Sequence, residues 1–232
     1  MKILILSDIH ANIEALEAIK EEYDYLFCLG DLVDYGPSPR ECIDFIKSNA
    51  YAIVRGNHDN AVAFRVDCQC SKAYRPMSEK TREFMWEILG QGEISYLGSL
   101  PLNGVIELQG SRFFLAHATP TDNLFKYLPP DSPDHVWQKE LEGIDADFVL
   151  LGHTHSSMIK RMGKRTIINP GSVGQSKDAP GVASYALWGD GETEIKRVEY
   201  DINKTVEKIH SARLDDYIKN SLIHVLRYGN PL

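Results

Sequence analysis

The strongest constraint on this chain is a pattern that occurs five times: a short apolar run followed at once by Asp, His or Asn. Residues 2–6 lead into Ser7-Asp8-Ile9-His10, and residues 25–29 into Gly30-Asp31-Leu32-Val33-Asp34. Residues 52–54 lead into Arg55-Gly56-Asn57-His58-Asp59, residues 113–116 into His117, and residues 148–151 into Gly152-His153-Thr154-His155. Runs of this length, bounded by polar and small residues, read as buried strands. Alternate residues past a strand end point the same way, so His153 and His155 are expected to face one cleft. Five of the eight histidines fall at these ends, more than a few buried structural histidines explain. Four of the five endings also hold a small residue that lets backbone approach a ligand.

Between the first three strands the chain has helical texture. Asn12 is placed to cap a helix from Ile13 to about Lys20, with Ile13, Leu16 and Ile19 on one face. Ser38-Pro39-Arg40-Glu41 opens a second helix with capping-box spacing and Pro at the first helical position. Strands alternating with helices imply a parallel sheet with ligands at the strands' C-terminal ends. Residues 60–100 read as mostly helical, with a polar loop at 65–76 and Ser78 as a cap. From Val105 the texture changes to hairpins, at 105–108 with 113–116, 158–162 with 165–168, and 184–188 with 194–200. The second half is therefore expected to be strand-rich and largely antiparallel. A final amphipathic pattern through Leu214, Tyr217, Ile218, Leu222, Val225 and Leu226 offers a face for packing on the domain or on a twin subunit. One domain over 1–232 is the economical reading, with a motif core at 1–174, C-terminal strands at about 183–200 and a helical tail at about 203–228.

Composition narrows the partners. A net charge of −8 argues against nucleic acid or a membrane surface as the main partner. It leaves a small phosphorylated substrate open, because bound cations reverse the local sign. The N-terminal apolar run is too short for a signal peptide, and no stretch reaches the roughly 20 apolar residues of a membrane span. The four cysteines read as free thiols of a cytoplasmic protein, with Cys68-x-Cys70 as a remote metal option.

Carboxylate, imidazole and amide oxygen without thiolate favour Mn, Fe, Zn or Ni over a cysteine-type structural zinc site. There are more such residues than one tetrahedral ion can use. An Asp bridging two divalent metal ions would accommodate the surplus. Such a pair turns a water into hydroxide near neutral pH and clamps a tetrahedral anion, as attack on phosphorus requires.

The set Asp8-x-His10, Gly30-Asp31-x-x-Asp34, Gly56-Asn57-His58-Asp59, His117 and Gly152-His153-x-His155 resembles the calcineurin-like metallophosphoesterase family. Asn169-Pro170-Gly171-Ser172-Val173-Gly174 extends the likeness, and the spelling is similar to small prokaryotic phosphodiesterases and diadenosine-tetraphosphatase-like proteins. The resemblance implies an α/β fold, a four-layer α/β/β/α sandwich with two central mixed β-sheets flanked by helices. It implies a phosphatase or phosphodiesterase using two metal ions, Mn favoured for activity, and a metal-bridging hydroxide. Asp8, His10 and His155 would hold one ion, Asn57, His117 and His153 the other, and Asp31 would bridge. His58 would be the catalytic acid, oriented by Asp59, while Asp34 would support the bridging loop. Arg55 matches a phosphate-binding position of the protein-phosphatase branch, Asn57 would also touch substrate, and Tyr35 could stack on a base. Loops 65–76 and 119–130 would line the pocket. His135, His210 and His224 read as structural or exposed.

Two other classes share some of these features. A non-catalytic scaffold or regulatory module on the same fold, as in a retromer subunit, would be expected to have lost ligands, yet every position here is filled. A metallo-β-lactamase-type zinc hydrolase needs His-x-His-x-Asp-His, which is absent. A serine/threonine protein phosphatase-like enzyme shares the same ligand set, and its distinction lies in the loops.

Overall fold

A computed structural model describes residues 1–232. In chain order, β1 (Lys2–Leu6), α1 (Ile13–Ala18), β2 (Tyr25–Cys28), α2 (Pro39–Asn49) and β3 (Ala52–Ile53) form the alternating first part. Three helices follow, α3 (Asn57–Phe64), α4 (Arg75–Ile88) and α5 (Gln91–Ser99). The hairpin β4 (Asn103–Leu108) and β5 (Ser111–Ala116) leads through α6 (Asp134–Glu140) to β6 (Phe148–Leu150). Then come β7 (Met158–Met162), β8 (Arg165–Asn169), β9 (Val182–Gly189), β10 (Glu192–Glu199), α7 (Ile202–Ser211) and α8 (Asp216–Tyr228).

The strands make two mixed five-stranded sheets, ordered β10-β9-β1-β2-β3 and β4-β5-β6-β8-β7. β1 is parallel to β2 and antiparallel to β9, which places the chain's first strand at the centre of its sheet. The period-two geometry of β1 separates two cores. Leu4 and Leu6 face a helical layer with Leu16, Ile43, Ile46, Val62 and Met85. Ile3 and Ile5, with neighbouring Trp188 of β9, face the other sheet against Phe113, Phe148 and Leu150. A third core sets Phe114, Val149 and Ile167 against Trp137 and Leu141 from the α6 region. Two central sheets with helices on both outer faces are the layers of the α/β sandwich fold.

Several local expectations change. The three expected hairpins form in the second half, but within the second sheet β5, β6 and β8 run parallel, with β4 and β7 as antiparallel edges. The long path through α6 is a crossover connection, which is what parallel pairing requires. Ser38 makes no capping bond; its hydroxyl accepts from Lys208 Nζ of α7 at 3.2 Å, a tertiary partner in place of the local one. Ser78 lies inside α4, buried beside Cys68, because the helix already starts at Arg75 with Pro76 in its first turn. The tail is two helices, and the apolar face of α8 is covered within the chain. Ile218, Leu222, Val225 and Leu226 pack with Ile209, Met77 and Tyr35. No helix is long and apolar enough to cross a membrane.

Candidate metal centre

The five strand ends converge. Asp8, His10, Asp31, Asn57, His117 and His155 are buried beside one another, with His153 at their edge. His155 Nε2 lies 3.3 Å from Asp8 Oδ1 and 3.1 Å from His10 Nε2. Asp31 Oδ2 lies 3.2 Å from His117 Nε2 and 3.8 Å from His10 Nε2. Asn57 Oδ1 is 3.0 Å from His117 Nε2 and 3.1 Å from His153 Nδ1. Two overlapping clusters of possible metal ligands result: Asp8, His10 and His155, and Asp8, Asp31 and His117.

The backbone of these turns is unusual in a consistent way. Eight of the twelve non-glycine residues with positive φ lie here, at Asp8, His10, Ala11, Asp31, Asp34, Tyr35, His153 and His155. Such a conformation costs roughly 1–2 kcal/mol per residue and persists only where the surroundings impose it. The convergence of His153 (φ 66°) and His155 (φ 58°) therefore comes from left-handed turns, not from strand alternation as the spacing alone suggests. Two glycines permit the crowding. A Cβ on Gly56 would sit 2.0 Å from Asp31 Oδ1, and one on Gly152 would sit 1.9 Å from Ser7 Oγ.

Main-chain groups fix each ligand's orientation. The Nδ1 atoms of His10, His117 and His155 donate to the carbonyls of Val33 (3.1 Å), Leu29 (2.7 Å) and Gln175 (2.9 Å). Each Nε2 is thereby turned inward, the orientation a metal ligand needs. Asp8 Oδ2 accepts from His153 N at 3.0 Å, and Asp31 Oδ1 accepts from His58 N at 2.9 Å. The other oxygens, Asp8 Oδ1 and Asp31 Oδ2, are buried without any hydrogen-bond partner. Buried orphan carboxylate oxygens facing imidazole nitrogens are the signature of a cation site. The nitrogen and oxygen donors suit divalent transition metals.

Charge follows the geometry. Burial opposes ionisation of Asp8 and Asp31, but the facing histidines outweigh it and hold both carboxyls below the usual range. Burial lowers His10 and His153 to about 3, which keeps their rings neutral. Burial also works against the charged form of His117, yet Asp31 raises it to about 9, so a cation taken up there must displace a proton.

The roles of the two remaining carboxylates are exchanged relative to the sequence expectation. Asp59 does not orient His58. Its carboxylate accepts from the main-chain N–H groups of Asp31 (2.8 Å), Leu32 (2.8 Å) and Gly56 (3.0 Å), and so anchors the bridging loop. Asp34 instead takes His58 Nδ1–H at 2.7 Å, and is itself held by Thr81 Oγ1 at 2.9 Å. Burial opposes protonation of His58, but Asp31 and the Asp34 hydrogen bond raise its pKa well above the ordinary imidazole value. Arg55 is also elsewhere: its guanidinium donates to the Gly98 carbonyl at 2.6 Å and lies 4.9 Å from the Phe64 ring centre. It does not line the cleft.

Sequence reasoning missed Asn169, whose amide holds the histidine turn through Gly152 O (2.7 Å) and Thr154 Oγ1 (3.1 Å). The Asn-Pro-Gly-Ser-Val-Gly motif could have signalled it. A cleft of about 600 Å³ opens above the centre, lined by Tyr35, Tyr74, Phe125, Tyr127, Lys177 and the C-terminal Asn230-Pro231. Both expected loops reach it. All four cysteines are free; Cys70 borders the cleft, and Cys68 is buried behind it, its sulfur 3.0 Å from Ser78 Oγ. His135, His210 and His224 lie outside it.

Comparison with known proteins agrees with this architecture. Residues 1–189 match the model of the calcineurin-like phosphoesterase superfamily domain. An uncharacterized protein of Methanocaldococcus jannaschii is 32% identical over 245 residues, spanning 95% of this chain and 96% of its own length. The crystal structure of a metallophosphoesterase from Sphaerobacter thermophilus superposes with a TM-score of 0.79 at 30% identity, covering 96% of this chain and 98% of that one. A hypothetical protein from Pyrococcus horikoshii shares the fold over 100% of this chain and 99% of its own, with a TM-score of 0.83 at 20% identity. The chain thus belongs to the calcineurin-like phosphoesterase superfamily.

Proposed function

We propose that this protein hydrolyses a small phosphomonoester or phosphodiester at a centre of two divalent cations. The observation that carries the reading is the pair of buried, unpartnered carboxylate oxygens, Asp8 Oδ1 and Asp31 Oδ2, set among imidazoles whose Nε2 atoms point inward. Asp8, His10 and His155 would hold one cation and Asn57, His117 and His153 the second, with Asp31 shared by both. When bound, such ions supply Lewis acidity and a water acidic enough to attack phosphorus near neutral pH.

The chain's own groups do the rest. The raised pKa of His58 favours its doubly protonated ring: Asp34 holds Nδ1–H, and the Nε2 proton is the one passed to the departing oxygen. Asp34 is a positioning residue, and Asp59 keeps the loop carrying Asp31 in its left-handed turn. The cleft's size suits a small molecule. With Mn²⁺ present, the protein is expected to hydrolyse members of a panel of p-nitrophenyl phosphate, bis-p-nitrophenyl phosphate, cyclic nucleotides and dinucleoside polyphosphates. Inactivity on the whole panel with Mn²⁺, Fe²⁺, Zn²⁺ or Ni²⁺ would remove the proposal.

A further inference from the structure

Lys177 is the one lysine or arginine lining the cleft above the metal centre. Its main-chain N–H donates to the His155 carbonyl at 3.1 Å, which ties its position to a candidate metal ligand. Its ammonium makes no hydrogen bond and no ion pair, unlike those of exposed Lys80 and half-buried Lys160. Instead it lies 5.3 Å from the ring centre of Tyr74 and 5.3 Å from that of Tyr127. Its side chain is half-buried against these rings, so the ammonium has shed part of its water.

These rings belong to a continuous arc around the cleft. His58 is 4.8 Å from Tyr35, Tyr35 is 6.2 Å from Tyr74, Lys177 joins Tyr74 to Tyr127, and Tyr127 is 5.9 Å from His153. The arc starts at the proposed acid and ends at a candidate ligand, with the ammonium in its middle. Two ring faces hold the cation in place but leave its three donors unused. A partly desolvated cation without a counter-ion, facing an open cleft, is matched by an anionic group of the ligand. The scissile phosphoryl group is already accounted for by the metal centre.

We propose that Lys177, clamped by Tyr74 and Tyr127, is a second anion subsite, selecting phosphate esters that carry another phosphate beyond the scissile one. The inference rests on the phosphoesterase reading and names its substrate class. Four substrates separate its parts: p-nitrophenyl phosphate, adenosine 5′-monophosphate, adenosine 3′,5′-bisphosphate and propane-1,3-diol bisphosphate. Lys177→Met should lower kcat/KM at least tenfold, equivalent to about 1.4 kcal/mol, for the two bisphosphates. It should leave the two monophosphates within about threefold, the range left to uncharged packing changes. Lys177→Arg, which keeps the charge, should retain most bisphosphate activity and guards against misfolding of the first variant. A uniform loss across all four substrates, or no loss, would overturn the subsite. A larger loss on the adenosine compound than on the propanediol compound assigns the rings to base stacking as well. If the wild-type protein hydrolyses none of the four, the phosphomonoesterase branch of the reading fails, and calorimetric titration of the Mn²⁺-loaded protein still decides the subsite. Equal affinity for mono- and bisphosphate would then refute it; tenfold tighter binding of bisphosphate, lost in Lys177→Met, would support it.

Discussion

Two clefts of nearly equal volume, about 600 and 610 Å³, open at opposite ends of the second sheet. One lies past the C-terminal ends of β5, β6 and β8, where His117, His153, His155 and Asn169 sit. The other lies at the N-terminal ends of the same strands, between Gly110, Asp147 and Lys164. The second is lined by charged groups as well, but none of them is buried. Arg112 bonds Asp145, and its main-chain N–H donates to Asp147 at 2.9 Å. Such surface pairs contribute little and leave nothing unsatisfied. At the C-terminal end the carboxylates are buried, two oxygens lack partners, and the imidazoles are held by main-chain carbonyls. Cavity size does not separate the two ends. What separates them is whether carboxylate oxygens are buried without partners against facing imidazoles, an arrangement that costs stability until a cation completes the shell.

The comparison is easiest to break with ligand removal. Asp8→Ala or His155→Ala should abolish Mn²⁺-dependent hydrolysis, a loss of about a thousandfold or more, and reduce bound metal measured by mass spectrometry. Arg112→Ala at the other cleft should stay within about twofold, as expected of an exposed ion pair. Comparable losses at both ends would end the distinction. His58→Ala should retain its metals and lower kcat by about 10²–10³, the usual contribution of a general acid. A metal-free His58→Ala protein would contradict the role given to that residue.

The exchanged carboxylates give a finer test. Asp34→Asn should lower kcat by about tenfold and shift the pH–rate profile with metal content unchanged, because it acts through the His58 ring. Asp59→Asn should weaken metal affinity instead, because it releases the main chain that presents Asp31. The same phenotype from both variants would show that the two carboxylates have no separate tasks. The smallest effect is expected at Arg55→Ala: unchanged KM and kcat, with a loss of about 1 kcal/mol in unfolding free energy from its carbonyl bond and its Phe64 contact. A raised KM would return Arg55 to the substrate site.

Much of this was legible before any coordinates. Strand positions were clear because the buried runs at β1, β2, β5 and β6 carry continuous apolar side chains that end abruptly in polar residues. Donors at strand ends were legible for the same reason, since the apolar run marks where the ligand must begin. The parallel pairing of β5, β6 and β8 was not, because a hairpin at each sheet edge imitates an antiparallel sheet locally. Helix caps were misread where a distant partner took the capping atom, as Lys208 does at Ser38. Arg55 was misplaced because a neighbouring position in sequence says nothing about which side of a turn a long side chain leaves.

By itself the sequence determined which residues are chemically able to hold a cation, and that they lie at strand ends, because donor chemistry and apolar burial are properties of the residues and their order. Only the tertiary structure decided what each does. It set Asp34 against His58 and Asp59 against the loop main chain, turned each imidazole through a carbonyl from another segment, and left Lys177 unpaired between two rings. Those outcomes depend on contacts such as Thr81 with Asp34 and Gln175 with His155, across 47 and 20 residues of chain. Proximity of that kind is created by folding, so no local pattern encodes it.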